Sequence, residues 1–295
     1  MACTAAFTVR MPAASRAVAA PAAARAAAAA LRPAAPRLTA PARSSSRPQS
    51  ARGLRLVPRA SWGAPVEFAA GKVLENEREA EQLQRLRVQI GGAASAYTKA
   101  GQFIQAKFGE DGKAGFFAIA SSPGADKENG VVELLVKSQG GTAEQLCTAA
   151  AGAEVLVSAP MGKGFHVDTI PPADVHTVLI FATGSGISPI RALIESGVLQ
   201  AGERKDVRLY YGVRSPAHQA FADAIPAWQA AGVKVVPVFS GQGQGYVQDA
   251  FAKETGVSDW GGVAAVLCGQ KGMAEAVTEL LTSNGVPPER ILTNF

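Results

Sequence analysis

Apolar and polar positions alternate with a period of two from Arg85 to Ile90, where Leu86, Val88 and Ile90 are separated by Arg87 and Gln89. That is the pattern of a strand with one buried face. Similar short runs predict strands at Val66–Ala69, Gln102–Phe108, Phe116–Ala120, Val131–Lys137 and Glu154–Ser158. Turn clusters separate them: Gly91-Gly92, Glu110-Asp111-Gly112, Pro123-Gly124 and Gly140-Gly141. A helix is predicted over Thr142–Ala150, with Thr142 as its N-cap. Short strands at this spacing predict a small antiparallel β-barrel over residues 67–170.

After Pro171-Pro172 the pattern changes. Continuous apolar runs predict buried strands at Thr177–Phe181, Val207–Tyr211, Val233–Phe239 and Val263–Cys268, with a short last one at Ile291–Phe295. Between them, helical periodicity predicts Pro189–Ser196, Ala217–Ala231, Tyr246–Thr255 and Lys271–Asn284. Strands alternating with helices predict a doubly wound α/β domain over residues 173–295, its parallel sheet covered on both faces.

The first 66 residues follow neither grammar. They contain ten Arg, no Lys and no acid, and Ala, Pro and Ser dominate the rest. This composition is that of an organelle transit peptide. The alternative, a basic tail for nucleic acid, lacks aromatic residues between Arg10 and Arg59 to stack on bases. The alanine run Ala19–Ala30 is interrupted by Pro21 and Arg25 and is too short to span a bilayer. Without this segment Lys plus Arg falls from 29 to 19 against 24 acids, so the net charge moves from +5 to −5. A nucleic-acid partner is not expected for such a body.

Candidate chemistry concentrates at Val178–Glu195. An apolar run leads into Thr183-Gly184-Ser185-Gly186, and a helix follows with Pro189 in its first turn. Strand, glycine turn and helix bring backbone N–H groups and a helix N-terminus against a pyrophosphate. Iron–sulfur chemistry is excluded for the body, because Cys147 and Cys268 are two thiols where four are needed. The three His, at 166, 176 and 218, form no ligand pattern, and no metal is expected. An electron partner other than an organic cofactor is therefore a separate molecule.

Ala182–Arg191, reading Ala-Thr-Gly-Ser-Gly-Ile-Ser-Pro-Ile-Arg, resembles the Gly-Thr-Gly-Ile-Ala-Pro nucleotide motif of the ferredoxin-NADP reductase superfamily. The resemblance covers roughly residues 66–295 and looks closest to the chloroplast ferredoxin reductase-like proteins of plants and algae. It implies a flavin-binding barrel followed by a nicotinamide-nucleotide domain. The implied cofactors are FAD, with FMN as the alternative, and NAD(H) or NADP(H). The implied activity is hydride transfer between nicotinamide and flavin N5, which need to approach to about 3–3.5 Å. The implied location is the chloroplast stroma, with the mitochondrion as the alternative.

Site roles follow from the same resemblance. The family's flavin motif, Arg-x-Tyr-Ser then Ile-Ala-Ser-Ser, corresponds to Gly115-Phe116-Phe117-Ala118-Ile119-Ala120-Ser121-Ser122. Its tail is kept, with Ser121, and its head is not. Gly115 brings no charge to a phosphate, the Ala118 side chain has no donor for N5, and Phe117 offers only a ring to stack. Lys137 and Gly140-Gly141-Thr142 resemble the turn and helix start that hold the flavin pyrophosphate. In the nucleotide half, Thr183, Gly184, Ser185, Gly186, Arg214, Ser240, Gly269 and Gln270 fall on nucleotide-binding segments. Cys268 falls where the family has a cysteine beside the hydride-transfer site, and Phe295 where an aromatic covers the flavin.

The degraded flavin motif keeps a second reading open: a catalytically reduced flavin- or nucleotide-binding module serving a chloroplast complex. No basic residue occurs between Lys234 and Lys253, where NADP-specific relatives place an Arg after the serine, and this predicts a preference for NAD(H).

Overall fold

The computed structural model describes residues 65–254 and 256–294. The expected targeting segment therefore lies, but for its last two residues, outside the described residues, as do Thr255 and Phe295. The described residues form one compact unit that holds two sheets.

The first sheet is antiparallel, with strands β1 (Phe68–Ala80), β2 (Leu83–Gln89), β3 (Phe103–Lys107), β4 (Gly115–Ala118), β5 (Val131–Lys137) and β6 (Glu154–Ser158). Their order is β4-β3-β6-β1-β2-β5, and an Ile119–Leu134 bridge joins the two ends into a barrel. Its interior is Val73, Leu86, Val88, Ile104, Ile119, Leu134 and Val157, all nearly or fully buried. The alternation read along β2 is thus borne out.

β1 is much longer than Val66–Ala69. Its polar stretch, with Glu75, Asn76, Glu77, Arg78 and Glu79, reads in isolation as a solvated loop. Across the ladder, Glu77 meets Arg85 at 3.0 Å and Glu75 meets Arg87 at 2.6 Å. Cross-strand charge pairs make the stretch a strand. Asn76 faces the other way, and its amide donates to the carbonyls of Leu146, Cys147 and Ala149. These belong to the end of helix α1 (Gly141–Thr148), whose last carbonyls have no partner within the helix. At the other end of α1 the N-cap is Gly140 and not Thr142. The Thr142 hydroxyl instead donates to the Lys113 carbonyl, which fastens the helix to the barrel.

The second sheet is parallel, with β7 (Thr177–Thr183), β8 (Asp206–Val213), β9 (Val233–Phe239), β10 (Val263–Cys268) and β11 (Ile291–Thr293) in the order β11-β10-β7-β8-β9. Helices α2 (Ile187–Glu195), α3 (Ile225–Ala230), α4 (Val247–Lys253) and α5 (Lys271–Ser283) connect or cover it. Val178–Ala182 and Val263–Val266 are fully buried, as strands covered on both faces must be. Chain order reverses at β7, which lies between β10 and β8. The predicted helix Ala217–Ala231 is cut to α3 and two short 3₁₀ turns. Phe221 adopts a left-handed φ of 56°, which an α-helix does not tolerate.

Side chains bolt the two sheets together. The Ser188 hydroxyl donates to the Ala118 carbonyl at 2.9 Å, and Arg191 of α2 pairs with Glu133 of β5. The Glu79 carboxylate accepts the Phe221 N–H at 2.7 Å, and the Glu81 N–H donates to the Ala217 carbonyl at 2.8 Å. Arg204 holds the connection between the sheets. Its buried guanidinium donates to the carbonyls of Ile170, Val175 and Leu199.

Candidate active site

The reversal of strand order at β7 opens a crevice beyond the carboxyl ends of the strands, where α/β sheets take ligands. A cleft of about 520 Å³ lies there. Its floor and walls include Thr183, Gly184, Ser185, Arg214, Ser240 and Gln270, together with Lys137 from the barrel. Seven of the residues expected from the sequence are thus brought together from five strand ends.

The turn is held from below. Tyr211 is buried, its hydroxyl donates to the Gly184 carbonyl at 3.2 Å, and it accepts the Ala220 N–H at 3.3 Å. Burial pushes the Tyr211 phenol pKa up, so it stays a neutral donor. Gly184 has a φ of +53° and open space where a Cβ would stand. It therefore offers its backbone to a ligand. Gly186 has another task. A Cβ there would lie 2.4 Å from the Cys268 carbonyl oxygen, so this glycine lets α2 and the end of β10 touch. Its α-carbon thus faces the end of β10, beneath the turn. Thr183 ties the same strands, its hydroxyl accepting the Gln270 N–H at 2.9 Å. Gly269 is required beside it, since a Cβ would fall 2.1 Å from that hydroxyl.

Arg214 is exposed at the cleft, and its carbonyl accepts the Gly241 N–H at 2.8 Å, which joins the loops after β8 and β9. Ser240 donates toward the Val213 carbonyl at 3.5 Å in the same junction. Cys268 lies behind the glycine turn in the core and does not line the cleft. Burial pushes its thiol up to about 12, so it stays protonated at neutral pH and presents no thiolate.

The flavin-side residues behave differently. Phe117 is 9% exposed inside the barrel core, and a Cβ on Gly115 would lie 2.8 Å from its ring. The ring fills the space left by the missing side chain, so the expected stacking face is turned inward. Ala118 spends its carbonyl on Ser188. Ser121 does not reach the cleft. It lines a separate polar hollow with Arg85, Arg87 and Glu133, and its hydroxyl accepts the Glu133 N–H at 3.0 Å. Gly141 and Thr142 open α1, where Gly140 and Gly141 have φ values of 82° and 59° and leave free space around the helix start. This end fits the phosphates of a flavin dinucleotide through exposed N–H groups. The ring end, at Phe117, fits only if that side chain moves. Phe295 lies outside the described residues. Its neighbour Asn294 is buried and donates to the Gly101 carbonyl at 3.3 Å, which brings the chain end to the barrel.

Several cleft residues had no motif to announce them. Glu81 and Gln82 come from the β1–β2 hairpin, His218 from the loop after β8, and Tyr246, 64% exposed, from the start of α4. An exposed aromatic beside glycines, Gly245-Tyr246, was the available signal.

Among the described residues no group of His, Cys, Asp and Glu can hold a metal, and no helix is long and apolar enough to cross a membrane.

Residues 180–279 match the family model for the oxidoreductase NAD-binding domain. The fruit protein pKIWI502 of Actinidia deliciosa is 36% identical over 209 residues, a match spanning 66% of this chain and 66% of that protein. The reductase component of propane 2-monooxygenase from Mycolicibacterium goodii is 25% identical over 244 residues, covering 78% of this chain and 68% of its own. A ferredoxin NADP+ reductase from Neisseria gonorrhoeae, solved with FAD and NADP, superposes with a TM-score of 0.61 at 17% identity, over 78% of this chain and 98% of that one. The barrel, the doubly wound sheet, the glycine turn at its reversal and these matches agree: the chain carries an oxidoreductase NAD-binding domain within a ferredoxin-NADP reductase-like fold.

Proposed function

We propose that the chain is a flavin-dependent oxidoreductase that passes electrons between a nicotinamide nucleotide and a separate electron-transfer protein. The observation that carries this reading is the cleft, where an open Gly184 backbone meets two cations from different sheets, Lys137 and Arg214. Two positive side chains offset the two charges of a dinucleotide pyrophosphate. Tyr211 keeps the turn in place, and the uncharged Cys268 lies behind it. The organic cofactors carry the chemistry, and a bound flavin supplies a two-electron acceptor that gives electrons up singly. The start of α1 is the part of the chain that would hold it. Titration calorimetry of the purified protein with NADH, with ADP-ribose as competitor, tests the reading. Saturable binding that ADP-ribose displaces is expected, and no binding of either would refute it.

The packed Phe117 favours a second reading, a nucleotide-binding module without flavin. Colour separates the two: a yellow protein supports the oxidoreductase, and a colourless one that takes up no added flavin supports the module. The same packing yields a prediction. Gly115→Arg with Ala118→Ser forces the Phe117 ring from its seat and adds a phosphate-binding cation. Flavin retention on gel filtration is expected to rise, while stability falls by about 1–3 kcal/mol from overpacking. Unchanged retention with an unfolded barrel would show that Gly115 serves packing alone.

The acid-free composition of residues 1–66 supports an organelle as the proposed site of action, and the resemblance to chloroplast reductase-like proteins favours the stroma over the alternative, the mitochondrion.

A further inference from the structure

We infer that Glu81 is a specificity-determining residue of the cleft: the barrel supplies, through it, the carboxylate that accepts ribose hydroxyls of NAD(H) and repels the extra phosphate of NADP(H). The inference rests on the nucleotide reading above and assigns its ligand class.

Glu81 is the only carboxylate among the described residues lining the cleft. It sits at the tip of the β1–β2 hairpin, beside Gln82, whose left-handed φ of 63° makes the tight turn. The tip is fixed on the far sheet. The Glu81 N–H donates to the Ala217 carbonyl at 2.8 Å, and Glu79, two residues earlier, accepts the Phe221 N–H at 2.7 Å. The Glu81 carboxylate lies 3.6 Å from His218 Nδ1, which is also 2.9 Å from the Ser215 hydroxyl. The carboxylate is therefore held against the loop after β8.

That location decides which part of the ligand it meets. The loop after β8 is joined to the loop after β9 through Gly241 and Arg214, and Tyr246 stands on the same side. Cys268, at the end of β10, is on the opposite side of the central strand β7. With the pyrophosphate over Gly184, a nucleotide directs one ribose toward β8 and β9, where Glu81 waits. The loop after β9 itself, Gly241-Gln242-Gly243-Gln244-Gly245, has no acid for a ribose diol. The hairpin of the other sheet supplies it. A carboxylate accepts hydrogen bonds from a diol and opposes a phosphate dianion in the same place. Lys137 and Arg214 are matched by the pyrophosphate, and no other Lys or Arg is among the described residues lining the cleft.

The test is the ratio of dissociation constants for NADH and NADPH, measured by calorimetry at physiological salt on the unmodified protein, Glu81→Gln and Glu81→Lys. The side chain is exposed and its main-chain bond is kept, so both variants retain the hairpin. The unmodified protein is expected to prefer NADH. Glu81→Gln should shift the ratio toward NADPH at least fivefold, and Glu81→Lys further, beyond tenfold. Equal effects on both nucleotides, or no effect, would overturn the inference while leaving the nucleotide reading intact. Tighter NADPH binding by the unmodified protein would overturn it too. Binding of neither nucleotide by the unmodified protein would remove the nucleotide reading and this inference together.

Discussion

Gly186→Val is expected to abolish nucleotide binding and to destabilise the fold by about 2–4 kcal/mol, near or above the usual range for overpacking. The cause is contact between two backbones. A Cβ at this position meets the Cys268 carbonyl oxygen at 2.4 Å and its carbon at 2.7 Å, and neither can give way without moving the end of β10. That strand end carries Gly269 and Gln270, whose N–H is bound by Thr183. The distortion thus spreads across the floor of the cleft. Gly184→Ala is the informative contrast. Its Cβ meets nothing, and only the left-handed φ of +53° opposes it, at a cost of about 1–2 kcal/mol. Urea denaturation and NADH titration of both variants check this. If Gly186→Val were as stable as Gly184→Ala, the packing role would be wrong.

Arg204→Met is expected to have the largest effect on stability of any single change away from the cleft, about 3–5 kcal/mol. The guanidinium is 8% exposed and serves carbonyls of Ile170, Val175 and Leu199, so the substitution orphans three acceptors at once. Each buried acceptor left unpaired costs about 1–3 kcal/mol. Burial lowers the guanidinium pKa from the ordinary value by more than the nearby Glu203 raises it, and its hydrogen bonds among the described residues go to backbone carbonyls, so it is the backbone that holds it. Arg204→Lys should recover only part of the loss, because a single ammonium cannot span three diverging carbonyls. A thermal shift of a degree or less in Arg204→Met would contradict this role.

Elements whose information is local were legible in the sequence. β2 alternates, β7 and β10 are continuous apolar runs, and the turn between β7 and α2 carries its own glycines. What escaped needed a partner to be read. The acidic half of β1 becomes a strand only opposite Arg85 and Arg87. The end of α1 depends on Asn76, some seventy residues earlier in the chain. Phe221 breaks the predicted helix because its N–H is taken by Glu79 of the barrel. The candidate site divides in the same way. The nucleotide half was readable because its centre, Thr183–Gly186 between β7 and α2, is one contiguous motif. On the flavin side the sequence showed which side chains were missing, but not that Phe117 folds into the space. Glu81 carried no signal at all, since only the fold of the hairpin across the other sheet brings it to the cleft.

The most direct measurement is anaerobic stopped-flow mixing of the flavin-reconstituted protein with NADH and with NADH deuterated at the transferred position. Bleaching of the flavin absorbance, slowed by deuterium and lost in Gly186→Val, is the result expected of hydride transfer from a nucleotide bound at the glycine turn. A flavin that is taken up but keeps its colour with saturating NADH and NADPH would contradict it.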